Sequence, residues 1–494
     1  MGDYSITFLS PMDIWMLTTV LLSSLFLFDD LAVDLAAILR KRKPIKLSQK
    51  EFNEMMKLPE KKIAILVANW QEEEIIERIV TGNINAINYT NYEIILGVYP
   101  NDIGTLEAAR RVEKKYKNVT VVVNTMNGPT SKGQMLNLMA SYLESQNKAA
   151  TQAPYDMVLI QDSEDIIHPQ SLKLVNKHAY NYDFIQIPVF SLEVPLTKIT
   201  AGVYIDEFIE SHTKDILVRD RHNAGIPSAG VGTAMNWSAV QKIMDLQDGA
   251  FLNENTLTED YHLGLTCHDL KLKQHFACEY YEITDKETDK TKKEFIATRE
   301  FFPQKFTQSI RQKTRWALGI SLQGFEQRKW KSVHSSERYF LWRDRKGLIN
   351  APLFTMALIF TIYFCYTFIV HGYWPQLSSE PWQYAFITLM WCNLVFSVFR
   401  IFNRMRLVSF VYGKRVAALV PVRWILSNFI NTTCTYNAIY QWGVAKVRGE
   451  LPKWSKTAHI IPAHFGLEDK VILESEVSPG LQAGADKAQA NTQI

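Results

Sequence analysis

Cysteine is scarce in this chain. Its 494 residues hold five (Cys267, Cys278, Cys365, Cys392, Cys434), with no C-x-x-C pair and no metal-ligand spacing. That excludes a disulfide framework and a cysteine zinc site, and it fits inert thiols in a reducing compartment. An excess of one charge sign is also missing. The formal net charge is +3, so there is no strong field for a polyanion, and nucleic acid is not an expected partner. No G-x-G-x-x-G follows the first strand-like run, which removes the phosphate turn of a nicotinamide-binding Rossmann domain. The stretch "NGPTSKGQMLN" places Lys132 before Gly133. It therefore lacks the phosphate-loop spacing of an NTPase. No basic residue precedes the first apolar run and no small-residue cleavage site follows it, which argues against a cleaved secretion signal.

Long apolar runs are present. The first, Ile14 to Phe28, is followed by "DDLAVDLAAIL" and then "RKRK". Extended to Leu39 it reaches the ~20 residues that a membrane span needs, but it then takes in Asp29, Asp30 and Asp34. Acids at that depth are costly. Either they face protein or water, or they mark the membrane edge, and the sequence leaves both open. Two further runs, Ala351 to Val370 and Trp382 to Phe399, are each about long enough to cross. The connection "HGYWPQLSSEP" carries no Lys or Arg, whereas "RKRK", "WRDRKG" and "RIFNRMR" flank the other ends. The positive-inside rule then puts residues 40–350 in the cytoplasm and the short N-terminus outside. The expected organisation is a membrane helix at 1–40, a cytoplasmic domain at 41–345 with an interfacial helix near 306–330, and a membrane helix pair at 346–405. Residues 406–466 are expected to form interfacial or re-entrant helices with a basic segment, because Val416–Trp442 contains Arg423, Asn428, Asn431 and Asn437. Residues 467–494 read as a mobile polar tail.

The cytoplasmic segment reads as α/β. Strand-like runs at Ile63–Val67, "YEIILGV", "NVTVVV" and Met157–Ile160 alternate with helical stretches, which predicts a nucleotide-binding, parallel-type sheet with helices on both faces. Such sheets bind ligands at the carboxyl ends of their strands, and Glu72, Asp102 and Asp162 lie at or just beyond such ends. Asp162-x-Glu164 suits a hard divalent cation, Mg2+ or Mn2+, that shares its shell with diphosphate oxygens. In "LTEDYHLGL", Thr258 can be read as a helix cap with Glu259 and Asp260 as dipole-matching acids, or Asp260 can be read as a general base for an acceptor hydroxyl. In "RQKTRWALG", Gln312, Arg315 and Trp316 share one helical face. Arg can grip phosphate and Trp can stack on a sugar ring. The other reading of that face is an amphipathic helix lying at the membrane.

Taken together, Asp102, Asp162-x-Glu164, the T-E-D at 258–260 and the Q-x-x-R-W at 312–316 resemble the signature of membrane-embedded family-two glycosyltransferases, as in cellulose, chitin and hyaluronan synthases. "YPND", "GPTSK", "DSED", "YIDEF", "PSAGVGT", "LTEDY", "RQKTRW", "YFLWRDRKG" and "WSKTAH" are more specifically similar to the bacteriophage adsorption protein B family, over roughly residues 15–460. The resemblance implies a GT-A fold and a hexosyltransferase in the bacterial inner membrane. It would make inverting transfers from a UDP-sugar, of N-acetylhexosamine type, to a growing glycan acceptor that is exported with an outer-membrane partner. It also implies roles residue by residue: Glu72 and Asp102 at the nucleotide, Lys132 near the diphosphate, and Asp162 and Glu164 on the metal. Asp260 is implied as base with Thr258 and Glu259 in support, Gln312, Arg315 and Trp316 at diphosphate and acceptor, and Gly230, Gly232 and Thr233 along the acceptor. Two departures stand out. Gln71 occupies the position where the family usually has Asn. The family commonly continues into a cyclic-di-GMP-sensing domain, of which "LEDKVILESEV" matches only the start, so regulation by that nucleotide is not expected of these residues. Rival readings are a single-addition transferase charging a lipid phosphate and a non-catalytic membrane receptor or scaffold. The intact acids argue against the latter.

Overall fold

The computed structural model describes residues 9–149, 153–284, 289–330 and 335–449. The expected tail at 467–494, the "LEDKVILESEV" stretch and the basic segment with "WSKTAH" lie outside the described residues.

The centre is a seven-stranded sheet: β1 (Ile63–Ala68), β2 (Tyr92–Val98), β3 (Val119–Val123), β4 (Met157–Gln161), β5 (Phe184–Gln186), β6 (Thr233–Asn236) and β7 (Gln274–Phe276), in the order β3-β2-β1-β4-β6-β5-β7. The four strands read from sequence are parallel neighbours, with Ile63 opposite both Tyr92 and Met157. Their near-continuous apolar runs follow from burial on both faces. Ala64 and Leu66 enter one core, and Ile63, Ile65 and Val67 the other.

The expectation of a parallel sheet needs one correction. β6 is antiparallel to both β4 and β5. It starts from the Gly230–Gly232 loop at the carboxyl ends of the parallel strands, so the chain can only run back through the sheet. Two small sheets were not anticipated. One joins Ile45–Lys46, Glu279–Thr284 and Thr291–Phe295; the other pairs Val189–Ser191 with Thr298–Glu300.

Among the described residues, three helices are long and apolar enough to cross a membrane: Pro11–Leu39, Gly347–His371 and Glu380–Tyr412. Ser10 and Asp13 start the first with a reciprocal capping box. The third runs past the boundary expected at 405, because its last turns are not lipid-type surface. Leu407, Val408 and Tyr412 enter the core of the catalytic domain, and the Tyr412 hydroxyl donates to the Ser191 carbonyl at 2.5 Å. The stretch expected to be interfacial or re-entrant is one unbroken helix, Val420–Arg448, without the reversal that a re-entrant segment requires. Three of its polar residues, Arg423, Ser427 and Asn431, meet protein, while Asn437 is exposed. Arg423 makes a buried bidentate pair with Asp206 at 2.7 and 2.8 Å, and Ser427 and Asn431 donate to Glu207.

The acids of the first helix face protein. Asp29 takes Arg343 and Lys346 at 2.5 and 2.8 Å, Asp30 takes Lys346 and Arg400 at 2.7 and 2.5 Å, and Asp34 takes Lys214 at 2.5 Å.

Candidate active site

The carboxyl ends of β1 and β4 open into a cavity of about 470 Å³. Of the residues singled out from sequence, Glu72, Lys132, Asp162, Glu164, Gly230, Thr258, Glu259, Asp260, Gln312, Arg315 and Trp316 all line it. They are up to 244 positions apart in the chain (316 − 72). Asp102, Gly232 and Thr233 are not part of the wall.

Each exception has a physical reason. Asp102 ends its strand-to-helix turn by accepting from the Gln71 amide at 2.5 Å. Gln71 sits at φ 55°, and the bond to Asp102 holds this uncommon backbone. Asp102 thereby buttresses the turn that carries Glu72 into the cavity. Glu72 is fixed through its own amide, which donates to Thr105 Oγ1 at 2.8 Å. Gly232 lies at φ 63° with Ile187 and Thr298 pressed against it; a Cβ there would come within 2.8 Å of both. Thr233 is buried in β6, donating to Gln186 Oε1 at 2.7 Å. Of the four residues at 230–233, only Gly230 and Val231 reach the cavity.

Lys132 opens the helix Lys132–Ala149. Its ammonium pairs with Asp162 and donates to the Gly230 carbonyl at 3.1 Å. Burial works against its charge, but Asp162, Glu259 and Asp260 outweigh that and hold its pKa above the ordinary value. Asp162 and Glu164 follow β4, and the Asp162 amide donates to Asp165 Oδ2 at 2.7 Å. Burial, then the charges of Asp162, Glu300 and Glu164, push the Asp165 carboxyl well above the carboxylate range. The fit to a divalent cation is chemical: Asp162 and Glu164 are hard oxygen donors at the end of β4 and both line the cavity, which suits Mg2+ or Mn2+.

Asp260 stands in the first turn of the helix Glu259–Asp269. The capping reading fails at its key residue. Thr258 holds the cap position, but its side chain makes no capping bond, and its buried Oγ1 has no hydrogen-bond partner. It instead packs on Gly319, where a Cβ would meet Thr258 Cγ2 at 2.5 Å. Asp260 Oδ1 accepts from the Tyr261 amide at 2.7 Å. Its other oxygen is directed at Gly230, where a Cβ would stand 2.6 Å away. Burial raises the Asp260 pKa, opposed by Lys132 and Arg315. Burial and then Asp260 raise Glu259 to about 7.

The helix Phe306–Trp316 brings Gln312, Arg315 and Trp316 to the opposite wall and packs against Val420–Arg448. That face lines the cavity. Gln312 Oε1 and Arg315 Nε are buried and have no hydrogen-bond partner among the described residues. Such atoms are expensive to leave unmet, and they suit a polar ligand between the two walls. Trp316 stands edge-on to Tyr204, with centroids 6.1 Å apart, and Tyr204 stacks on Phe302 at 4.7 Å.

Sequence reasoning missed Glu207, Phe208, His212 and Glu300, which also line the cavity. Glu207 is buried yet ionised: Lys313, Ser427 and Asn431 overcome the cost of burial and lower its pKa. His212 lies in a π-helical turn, Ser211–Asp215, and a second such turn, Ala317–Gln323, follows Trp316. Both interrupt α-helices at the cavity, where such turns often mark function. The "YIDEF" stretch was the only sequence signal for this wall.

The family profile described as "Glycosyltransferase like family 2" matches residues 59–319. The chain is 32% identical over 461 residues to bacteriophage adsorption protein B of Escherichia coli strain K12, and equally to bacteriophage N4 adsorption protein B of Escherichia coli O157:H7. Each match covers 87% of this chain, which spans 60% of the length of these curated relatives. Among solved structures, a mannosyltransferase from Pyrobaculum calidifontis in complex with GDP-Man and Mn2+ has a TM-score of 0.52 at 11% identity, over 86% of this chain and 99% of that one. This second likeness is one of fold. The profile match takes in more than half of the chain and every strand of the GT-A sheet together with its cavity walls. The chain therefore belongs to glycosyltransferase family 2.

Proposed function

We propose that this chain is an inverting transferase of the bacterial inner membrane that moves a hexosyl group from a UDP-sugar, of N-acetylhexosamine type, to the end of a growing exported glycan. The observation that carries this reading is the placement of Asp260. Its carboxylate shares one cavity with the Lys132–Asp162 pair on one side and with Arg315 and Trp316 on the other.

Asp260 takes the proton of the acceptor hydroxyl as that oxygen forms its bond to the anomeric carbon. The bond from that carbon to the diphosphate breaks, and the nucleoside diphosphate leaves with the electron pair. The raised pKa of Asp260 favours holding the proton once taken, and the Tyr261 amide fixes the carboxylate while it does so. Arg315 and Lys132 offer charge to the departing diphosphate, and Gln312 offers a hydrogen bond. Trp316 supplies an apolar face for the terminal sugar. Glu72 bounds the nucleotide end. Asp162 and Glu164 would hold a divalent cation, whose chemistry is to neutralise charge on the leaving diphosphate.

The basic flanks of the three apolar helices support a cytoplasmic catalytic domain. The glycan would leave through the membrane toward an outer-membrane partner. The test is to incubate membranes carrying the chain with a panel of UDP-sugars and to measure UDP release and product length. One sugar should give metal-dependent UDP release and a polymer. Full turnover in excess EDTA would refute the metal, and a product of one sugar on lipid would refute polymerisation.

A further inference from the structure

At the sheet edge away from the cavity, His178, His275 and Glu279 bring one donor atom each to within 4.8 Å of one another. His178 ends the helix Ser171–His178, His275 lies in edge strand β7, and Glu279 begins the strand Glu279–Thr284. His178 Nε2 is 2.6 Å from Glu279 Oε1, the two imidazole centroids are 4.6 Å apart, and Lys177 Nζ takes only the other carboxylate oxygen, Oε2, at 2.8 Å. Asp220 Oδ2 stands 3.2 Å from His275 Nδ1, which leaves Nε2 of that ring for another partner. A carboxylate at the far nitrogen of a histidine is the usual means of orienting a metal-bound imidazole.

We propose that His178, His275 and Glu279 bind a zinc ion, with Asp220 orienting His275 and a water completing a tetrahedral shell. Two imidazoles and one carboxylate are a zinc donor set, and a shell of three protein ligands leaves one position for solvent. Solvent has access: a cavity of about 870 Å³ beside the site is lined by Tyr182, Asp220 and Gln274. The ion would take the place of the hydrogen bond between His178 and Glu279. It would tie three separate elements at a sheet edge that short strands alone hold weakly. The next residue along β7, Phe276, stacks on His212 of the catalytic cavity with centroids 5.7 Å apart, so the tie steadies that wall from behind.

A second cluster on the same cavity, His268, Asp269 and Glu337, does not offer such a site. Arg328 already grips Asp269 at 2.5 and 2.7 Å and Glu337 at 2.5 Å. A guanidinium occupies the place where a cation would sit.

The experiment uses the full chain in detergent with Asp162→Asn as the background, so that metal at the catalytic cavity is not counted. After zinc addition and dialysis, elemental analysis should find about one zinc ion per chain. Zinc should raise the thermal midpoint, and His275→Gln and Glu279→Gln should each bring the zinc content close to zero. Cobalt in place of zinc should give the strong visible absorption of a four-coordinate ion. Negligible zinc in the Asp162→Asn chain, zinc unchanged in both variants, or a weak octahedral cobalt spectrum would each overturn the proposal. If neither variant folds, the cobalt spectrum and the zinc-dependent midpoint of the Asp162→Asn chain decide it.

Discussion

The chain buries two groups of acids, and they are treated in opposite ways. Against the first apolar helix, Asp29, Asp30, Asp34 and Glu210 are met by Arg343, Lys346, Arg400, Arg404 and Lys214. Glu210 shows the result: burial opposes its charge, but Arg404, Lys214 and Arg400 hold its pKa well below the usual range. In the catalytic cavity, burial pushes Glu259 and Asp260 upward, and the nearby Lys132 and Arg315 oppose that rise without reversing it. Both regions meet the cost of burying charge. One meets it within the protein and becomes a rigid joint between membrane helices and catalytic domain. The other leaves it partly unmet, in the manner of a site built for ligands. Buried acids alone therefore do not mark chemistry; acids that line a cavity with raised pKa values do.

The comparison is broken most directly at Asp260. Asp260→Asn should reduce sugar transfer by about 10²–10⁴-fold, the usual loss of a general base, while the thermal midpoint and UDP binding hold. Initial rates of UDP release in membranes measure this. Turnover within a few-fold of wild type would place the base elsewhere.

Next in size is the joint. Asp34→Ala removes one of three carboxylates around the buried Lys214, and the acceptor of the Asn403 amide, and should cost about 1–3 kcal/mol of stability. Thermal unfolding in detergent should show the loss, with UDP release per folded molecule almost unchanged. A loss of specific activity without a loss of stability would mean that the joint is catalytic after all.

A smaller effect is expected at Gly230. Its φ of 81° resists a side chain, and so does Asp260 Oδ2, which would lie 2.6 Å from a Cβ at this position. The left-handed backbone alone costs a non-glycine residue about 1–2 kcal/mol. Gly230→Ala should slow transfer roughly tenfold if about that much falls on the placement of Asp260, as read from the rate at saturating donor. An unaffected rate would show that the contact does not position the base.

The smallest effect distinguishes extension from donor cleavage. A sugar-stacking aromatic contributes about 0.5–1.5 kcal/mol. Trp316→Ala should therefore shorten the product while UDP release persists. Gel or mass analysis of product length against released UDP separates the two, and equal loss of both would favour a single-addition enzyme.

The amino-acid sequence by itself determined the parallel half of the sheet and the three apolar helices. Ile63–Val67 and Met157–Ile160 are buried on both faces, so their apolar runs are unbroken, and a span must be continuously apolar over its length. It also determined the residue types of the cavity, because Asp162-x-Glu164, T-E-D and Q-x-x-R-W are short local patterns. What only the tertiary structure decided depends on partners distant in the chain. Thr258 faces Gly319 in place of capping its helix, and Asp102 accepts from the Gln71 amide. β6 runs backward because the Gly230 loop begins at the other end of the sheet. Asp30 finds Arg400 across 370 positions, which no local periodicity could report. Local pattern records whether a residue is buried; which residue it meets, and from which side, is fixed by the packing of elements that are remote in sequence.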